Sequence, residues 1–197
     1  MKHFFRTIQV TAIAAGLFLG IIYSFNQKKS KNIEPIKIDN QDLLVIPDFS
    51  LIEQNGQSLK FSDIKEDLKL VYFGFTLCPE VCPRILGKLV EAEQTLAKYQ
   101  IPIKIVFITI DPENDNADIL KNYLINLSPN IIGFSGSDDL IKHTADLFGA
   151  FYSDKDANTH TTFTYLVYKN KYVGVFHEND TVKHIIDKIV QFHSGHK

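Results

Sequence analysis

The chain of 197 residues contains two cysteines, Cys78 and Cys82, both within the segment FGFTLCPEVCP at residues 73–83. Two thiols at this distance can form a disulfide, or they can chelate a soft metal ion as thiolates. The C-x-x-x-C spacing differs from the C-x-x-C of disulfide exchangers, and a zinc ribbon would need a second pair. A purely structural disulfide would close so small a loop that it would add little stability. The pair therefore predicts redox or metal chemistry.

The residues on either side of the cysteines predict how they are positioned. The run LKLVYFGF at residues 68–75 is almost continuously apolar, which is typical of a strand buried on both faces. After Cys82 the apolar residues recur with helical periodicity as far as Tyr99. Pro83 suits the first turn of that helix, so a spacing of four brings both side chains to one side of the turn. We expect the N–H groups and the dipole of the helix to favour thiolate there.

The remaining sequence predicts one α/β domain over residues 43–193. Strand patterns alternate with helix patterns and end in a hairpin around Asn170 and a closing helix, and an N-terminal β-hairpin is predicted around Asn55 and Gly56. This order, with a cysteine pair between the first core strand and its helix, is that of a thioredoxin-like fold. We therefore predict a central mixed sheet flanked by helices.

A third metal ligand is expected, because two sulfurs leave most metal ions under-coordinated. His160 is the candidate, since the loop before the strand pattern TFTYLVY packs against the cysteine turn in a thioredoxin-like fold. The sequence there is Thr159-His160-Thr161, without the proline that oxidoreductases of this fold carry. Two thiolates and one imidazole suit copper as Cu(I) or Cu(II). We interpret His143 and His184 as ordinary surface or half-buried residues.

The N-terminal region predicts a membrane anchor. Residues 1–7 form a short basic segment, and residues 8–25 contain no charged residue. As a helix, 18 residues would span roughly 27 Å, close to the thickness of the bilayer hydrocarbon core. A signal peptide would have a shorter apolar region ending at a small-x-small site, so we favour an uncleaved transmembrane helix. Residues 26–42 are polar and are interpreted as a linker, and residues 194–197 as a tail.

Charge is unevenly distributed along the chain. Five of the 21 basic residues and none of the 23 acidic residues lie in residues 1–32, so the remainder has a net charge of −7. A domain this acidic is a poor candidate for binding nucleic acid. The segment DPENDN contains Asp111 and Asp115, which we interpret as a turn and the start of a helix, because carboxylates are poor ligands for Cu(I).

Four segments together resemble the SCO/SenC family of copper chaperones for cytochrome c oxidase assembly. They are FGFTLCPEVCP, VFITIDPENDN, SGSDDLIKHTADLFGAFYS and His160 before an aromatic strand, and the resemblance covers about residues 44–192. One departure is Leu77, since histidine is common before the first cysteine in this family.

The resemblance implies a thioredoxin-like domain held outside the cytoplasm by a single N-terminal anchor, in the bacterial periplasm or the mitochondrial intermembrane space. It implies that Cys78, Cys82 and His160 bind copper, one ion per chain, and that Cys78 and Cys82 can form a redox disulfide. The implied partner is cytochrome c oxidase subunit II or another copper-delivery protein, and the implied role is metal transfer rather than turnover of a substrate. A thiol–disulfide reductase that keeps the oxidase copper-site cysteines reduced is an open alternative, because it would use the same two sulfurs.

Overall fold

The computed structural model describes residues 43–153 and 156–196, which belong to a single compact unit. The predicted basic N-terminus, transmembrane helix at 8–25 and linker at 26–42 lie outside the described residues. Within the described part of the chain, no helix is both long and apolar enough to span a bilayer.

The described residues form nine strands, four α-helices and one short 3-10 helix. The strands are β1 Ser50–Glu53, β2 Ser58–Lys60, β3 Leu68–Gly74, β4 Ile103–Thr109, β5 Ile131–Ser135, β6 Tyr152–Ser153, β7 Asp156–His160, β8 Thr164–Tyr168 and β9 Lys171–Phe176. The helices are α1 Val81–Lys98, α2 Ala117–Ile125, α3 Asp138–Phe148 and α4 Val182–Ser194, and the 3-10 helix is Phe61–Asp63.

Seven of the strands form one mixed sheet in the order β2-β1-β5-β4-β3-β8-β9. Strands β3, β4 and β5 are parallel to one another. The hairpin β1-β2 pairs with β5 on one side of this parallel core, the hairpin β8-β9 pairs with β3 on the other side, and both pairings are antiparallel. The inner strand β3, between β4 and β8, is buried along its whole length, as its apolar run predicts. These features confirm the predicted α/β class with a mixed central sheet and an N-terminal hairpin.

Most predicted elements are present, but two details differ from the prediction. The helix expected to start within DPENDN begins only at Ala117, because the side chain of Asn116 accepts a hydrogen bond from the Ile119 N–H and caps the helix there. The small antiparallel pair β6-β7 was not predicted, and it contains His160 as its last residue. The site histidine therefore lies at a strand end and not in an open loop.

Candidate metal and thiol site

Both cysteines lie where β3 leads into α1. Cys78 is in the connecting loop and Cys82 is the second residue of the helix. The two thiols are free, and the Cys82 N–H donates a hydrogen bond to the Cys78 Sγ over 3.3 Å. This N–H belongs to the first turn of a helix, where backbone donors have no partner within the helix. The local fold thus confirms that both cysteines share one side of the turn.

The Cys82 sulfur is enclosed by the underlying strand. Cys82 is 0% exposed, and the hydroxyl of Tyr72 on β3 donates a hydrogen bond to its Sγ over 3.4 Å. Gly74 lies beside the same sulfur, and a Cβ at that position would be 2.9 Å from the Cys82 Sγ. The missing side chain of Gly74 therefore provides the space in which the sulfur sits against the sheet.

Burial determines the protonation of Cys82. It raises the pKa of the Cys82 thiol to about 12, although hydrogen bonds from Tyr72 and the Phe75 backbone act in the opposite direction. The expectation that the helix N-terminus favours a thiolate is therefore wrong for Cys82, because desolvation of the charged form exceeds the stabilisation by local donors. In the metal-free protein Cys82 is a neutral thiol at physiological pH.

Asp115 holds the loop that contains the cysteines. Its carboxylate is fully buried and accepts hydrogen bonds from the Thr76 N–H at 2.9 Å, the Thr76 hydroxyl at 2.5 Å and the Thr109 hydroxyl at 2.6 Å. Thr76 lies two residues before Cys78, and Thr109 is the last residue of β4. The carboxylate thereby connects the start of the cysteine loop to the end of the neighbouring strand.

This arrangement corrects our interpretation of DPENDN as a turn followed by the acidic start of a helix. The turn is present, because the Asp111 carboxylate accepts hydrogen bonds from the Asn114 amide. Asp115, however, precedes the capping residue Asn116 and points into the protein. Its carboxylate is the buried acceptor for donors of the cysteine loop, which would have no partner without it. Asp115 therefore holds the loop and does not serve the helix dipole.

His160 lies next to the cysteine loop. It pairs with Tyr152 across β6-β7, and the following Thr161 N–H donates a hydrogen bond to the Phe151 carbonyl over 2.8 Å. Its ring packs edge-to-face on Phe75, with the two ring centroids 5.7 Å apart. The Nε2 atom is buried. The fold therefore brings the predicted imidazole to the residue three positions before Cys78.

The three predicted ligands are not gathered into one compact set. Across residues 43–153 and 156–196, no group of three or more His, Cys, Asp or Glu side chains is arranged to hold a metal ion. The two cysteines have the soft donor chemistry that copper prefers and are already adjacent. The assignment of Cys78, Cys82 and His160 as copper ligands stays a prediction. His143 and His184 are exposed, as interpreted.

Sequence reasoning missed Tyr72, Thr76, Thr109 and Asp115 as parts of the site. Tyr72 carried a usable signal, because a tyrosine in a strand buried on both faces needs a partner for its hydroxyl. Asp115 carried a weaker one, since a carboxylate between a buried strand and a helix could equally face solvent. The pairing of each with its partner depends on contacts between elements that are distant in sequence.

The chain is similar to known proteins in sequence and in fold. The SCO1/SenC family model matches residues 38–194. A curated relative is the SCO2-like protein of Rickettsia felis, which is 39% identical over 161 residues, covering 77% of this chain and 78% of the relative.

Two solved structures are similar in fold. Arabidopsis thaliana ScoI with copper bound has a TM-score of 0.70 and 26% identity, covering 77% of this chain and 99% of that one. Yeast Sco1 with copper bound has a TM-score of 0.69 and 29% identity, covering 76% of this chain and 88% of that one. These similarities confirm the thioredoxin-like fold that the element order predicts.

Proposed function

This chain belongs to the SCO1/SenC family, and from that premise we propose that it is a membrane-anchored copper metallochaperone that assists assembly of the dinuclear copper site of cytochrome c oxidase subunit II. Sco-family proteins are cytochrome c oxidase assembly proteins. The observation that carries the proposal is the pair of free, adjacent thiols at the β3–α1 junction, with the Cys82 N–H on the Cys78 sulfur. A protein that transfers copper needs sulfur ligands that are available in the reduced state.

Copper is the cargo in this proposal, and Cys78 and Cys82 hold it as thiolates. Copper binding must displace the Cys82 proton, which burial otherwise retains. The buried position also keeps solvent away from the Cys82 sulfur while no metal is bound. His160 is proposed as the third ligand because its ring already contacts Phe75 of the same loop. An imidazole adds the borderline nitrogen that suits Cu(II).

The first test measures copper uptake by the purified full chain. We expect about one copper ion per reduced chain, and Cys82→Ser should abolish tight binding because a single thiolate remains. Oxidation to the Cys78–Cys82 disulfide should block uptake too, since a disulfide offers no thiolate. Equally tight binding by the oxidised chain would refute a thiolate site.

The second test separates copper transfer from thiol reduction. His160→Ala leaves both cysteines, so the disulfide should still form and be reduced. We expect a modest loss of Cu(I) affinity, a severe loss of Cu(II) affinity and failure of oxidase copper-site assembly, because Cu(I) tolerates two-sulfur coordination and Cu(II) does not. His143→Ala on the exposed face of α3 is the matched control. Intact oxidase assembly in His160→Ala would favour the thiol reductase instead.

The proposal includes a location. We propose that residues 8–25 anchor the chain in the bacterial or mitochondrial inner membrane and that the thioredoxin-like domain faces away from the cytoplasm or matrix. The two cysteines support this, because a thiol pair that alternates with a disulfide suits an oxidising compartment. A pair of folding reporters fused after Lys197, one active only outside the cytoplasm and one only inside, tests it, and activity of the cytoplasmic reporter alone would refute the orientation.

A further inference from the structure

Tyr72 makes a direct contact with the sulfur chemistry of the site. Its side chain is completely buried on β3, and its hydroxyl donates a hydrogen bond to the Cys82 Sγ over 3.4 Å. The phenol ring is fixed by packing against Phe107 on β4, with ring centroids 6.2 Å apart. The donor is therefore held by the sheet and does not depend on the conformation of the cysteine loop.

The two sulfurs differ in what surrounds them. The Cys78 sulfur lies in the loop and accepts the Cys82 backbone N–H, whereas the Cys82 sulfur lies inside, between Gly74 and the Tyr72 hydroxyl. Cys78 follows Leu77, whose side chain is 68% exposed. Both cysteines are buried, but Cys78 is 6% exposed and Cys82 is 0% exposed, so Cys78 lies nearer the surface.

A second tyrosine hydroxyl lies in the same region. The hydroxyl of Tyr123 on α2 is buried and has no hydrogen-bond partner within the described part of the chain. Burial raises the pKa of Tyr123, and the nearby acidic groups of Cys82, Cys78 and Asp115 act in the same direction. Its ring packs on Phe107, so the two phenols flank one phenylalanine. The region around Phe107 thus contains two buried tyrosine hydroxyls, one from the sheet and one from α2, and the hydroxyl from the sheet contacts Cys82.

We propose that Tyr72 is a positioning residue for the cysteine pair: its hydroxyl orients the Cys82 sulfur and favours the dithiol over the Cys78–Cys82 disulfide. A thiol or thiolate sulfur accepts a hydrogen bond better than a disulfide sulfur, so the hydroxyl stabilises the reduced state that binds metal. The inference rests on the proposed function in one respect, namely that the dithiol is the state that binds copper. The hydrogen bond itself acts without copper.

The test is the equilibrium of the metal-free full chain with glutathione. In this exchange the protein disulfide takes two electrons and two protons from two glutathione thiols, giving two protein thiols and one glutathione disulfide. Tyr72→Phe removes only the hydroxyl and should shift the equilibrium constant about fivefold toward the protein disulfide, the effect of one ordinary hydrogen bond. This corresponds to a reduction potential about 20 mV more negative.

Tyr165→Phe is the matched control. Tyr165 is also a buried tyrosine of the sheet, but its ring contacts Phe73 and Phe148 on the opposite side of β3 from Tyr72. Its equilibrium constant should equal that of the wild type. A merely structural role for Tyr72 would lower thermal stability without a specific change in potential, so equal constants for Tyr72→Phe and Tyr165→Phe would overturn the proposal.

A measurement on the wild-type chain covers the case in which Tyr72→Phe does not fold. In the reduced protein, proton NMR should show a slowly exchanging Tyr72 hydroxyl with a nuclear Overhauser effect to the Cys82 β-protons. Absence of this signal in the folded, reduced chain would overturn the proposal. Both measurements are made without metal. A chain that fails to bind copper would therefore refute the proposed function, whereas the role of Tyr72 would still be decided by the glutathione equilibrium and the NMR signal.

Discussion

Removing the Asp115 carboxylate should destabilise the domain and release the cysteine loop. Asp115→Ala deletes the acceptor of three hydrogen bonds, from the Thr76 N–H, the Thr76 hydroxyl and the Thr109 hydroxyl. All three donors lie at a buried or partly buried position, so they lose a charged partner in a place with little access to water. The prediction therefore concerns both stability and the exposure of Cys78.

The magnitude follows from the number and type of bonds. A hydrogen bond to a charged group contributes about 1.5–3 kcal/mol, and a donor left unsatisfied in a buried site costs about 1–3 kcal/mol. Simple addition overestimates the loss, because water can enter the space left by the carboxylate and satisfy some donors. We expect Asp115→Ala to lower the free energy of unfolding by about 3–4 kcal/mol, near the upper end for single substitutions. Asp115→Asn keeps one acceptor oxygen and should cost about 2 kcal/mol.

Urea unfolding of the full chain, followed by far-ultraviolet circular dichroism, measures this loss. The matched control is Asp111→Ala, in the same segment. Among residues 43–153 and 156–196, that carboxylate accepts hydrogen bonds only from the exposed Asn114 amide, so its removal should cost less than about 1 kcal/mol. Alkylation of Cys78 should also become faster in Asp115→Ala, since Thr76 no longer holds the loop. Equal free energies of unfolding for the Asp115→Ala and Asp111→Ala variants would refute this account of the network.

Three further predictions concern protonation and domain limits. Burial lowers the pKa of Lys69 from 10.5, so the folded chain binds fewer protons than the unfolded chain below that value and its stability rises with pH through this window. Lys69→Met should therefore flatten the alkaline rise in stability and leave the protein at least as stable at neutral pH, and a large loss of stability on urea unfolding would contradict this. Burial raises the pKa of Cys82 to about 12. In a Cys78→Ser variant, iodoacetamide should therefore modify the remaining thiol slowly at neutral pH and faster as the pH rises. Rapid modification of the folded variant at neutral pH would show that the Cys82 thiol is not protected. A fragment of residues 43–197 should stay folded in solution, as its net charge of −5 and its complete sheet predict. Aggregation of this fragment beside a stable full chain in detergent would argue against the domain limits.

The fold could be predicted from the sequence because its main signals are local. The apolar run that forms β3 and the helical periodicity after Cys82 need no knowledge of distant residues. The Gly56 turn has a positive φ of 81°, and the Ser137 side chain accepts a hydrogen bond from the Leu140 N–H at the start of α3, as their residue types predict. The position of the two cysteines at a strand–helix junction was predictable for the same reason.

The surroundings of the site depend on contacts that no local pattern records. Tyr72 reaches Cys82 because β3 and the first turn of α1 are pressed together at Gly74, and Asp115 reaches Thr76 because β3 and β4 are parallel neighbours with their carboxyl ends at one edge. The reversal of the expected Cys82 charge has the same origin. A helix N-terminus stabilises a thiolate wherever it occurs in a chain, but the desolvation that outweighs it exists only after the sheet and helices have enclosed the sulfur.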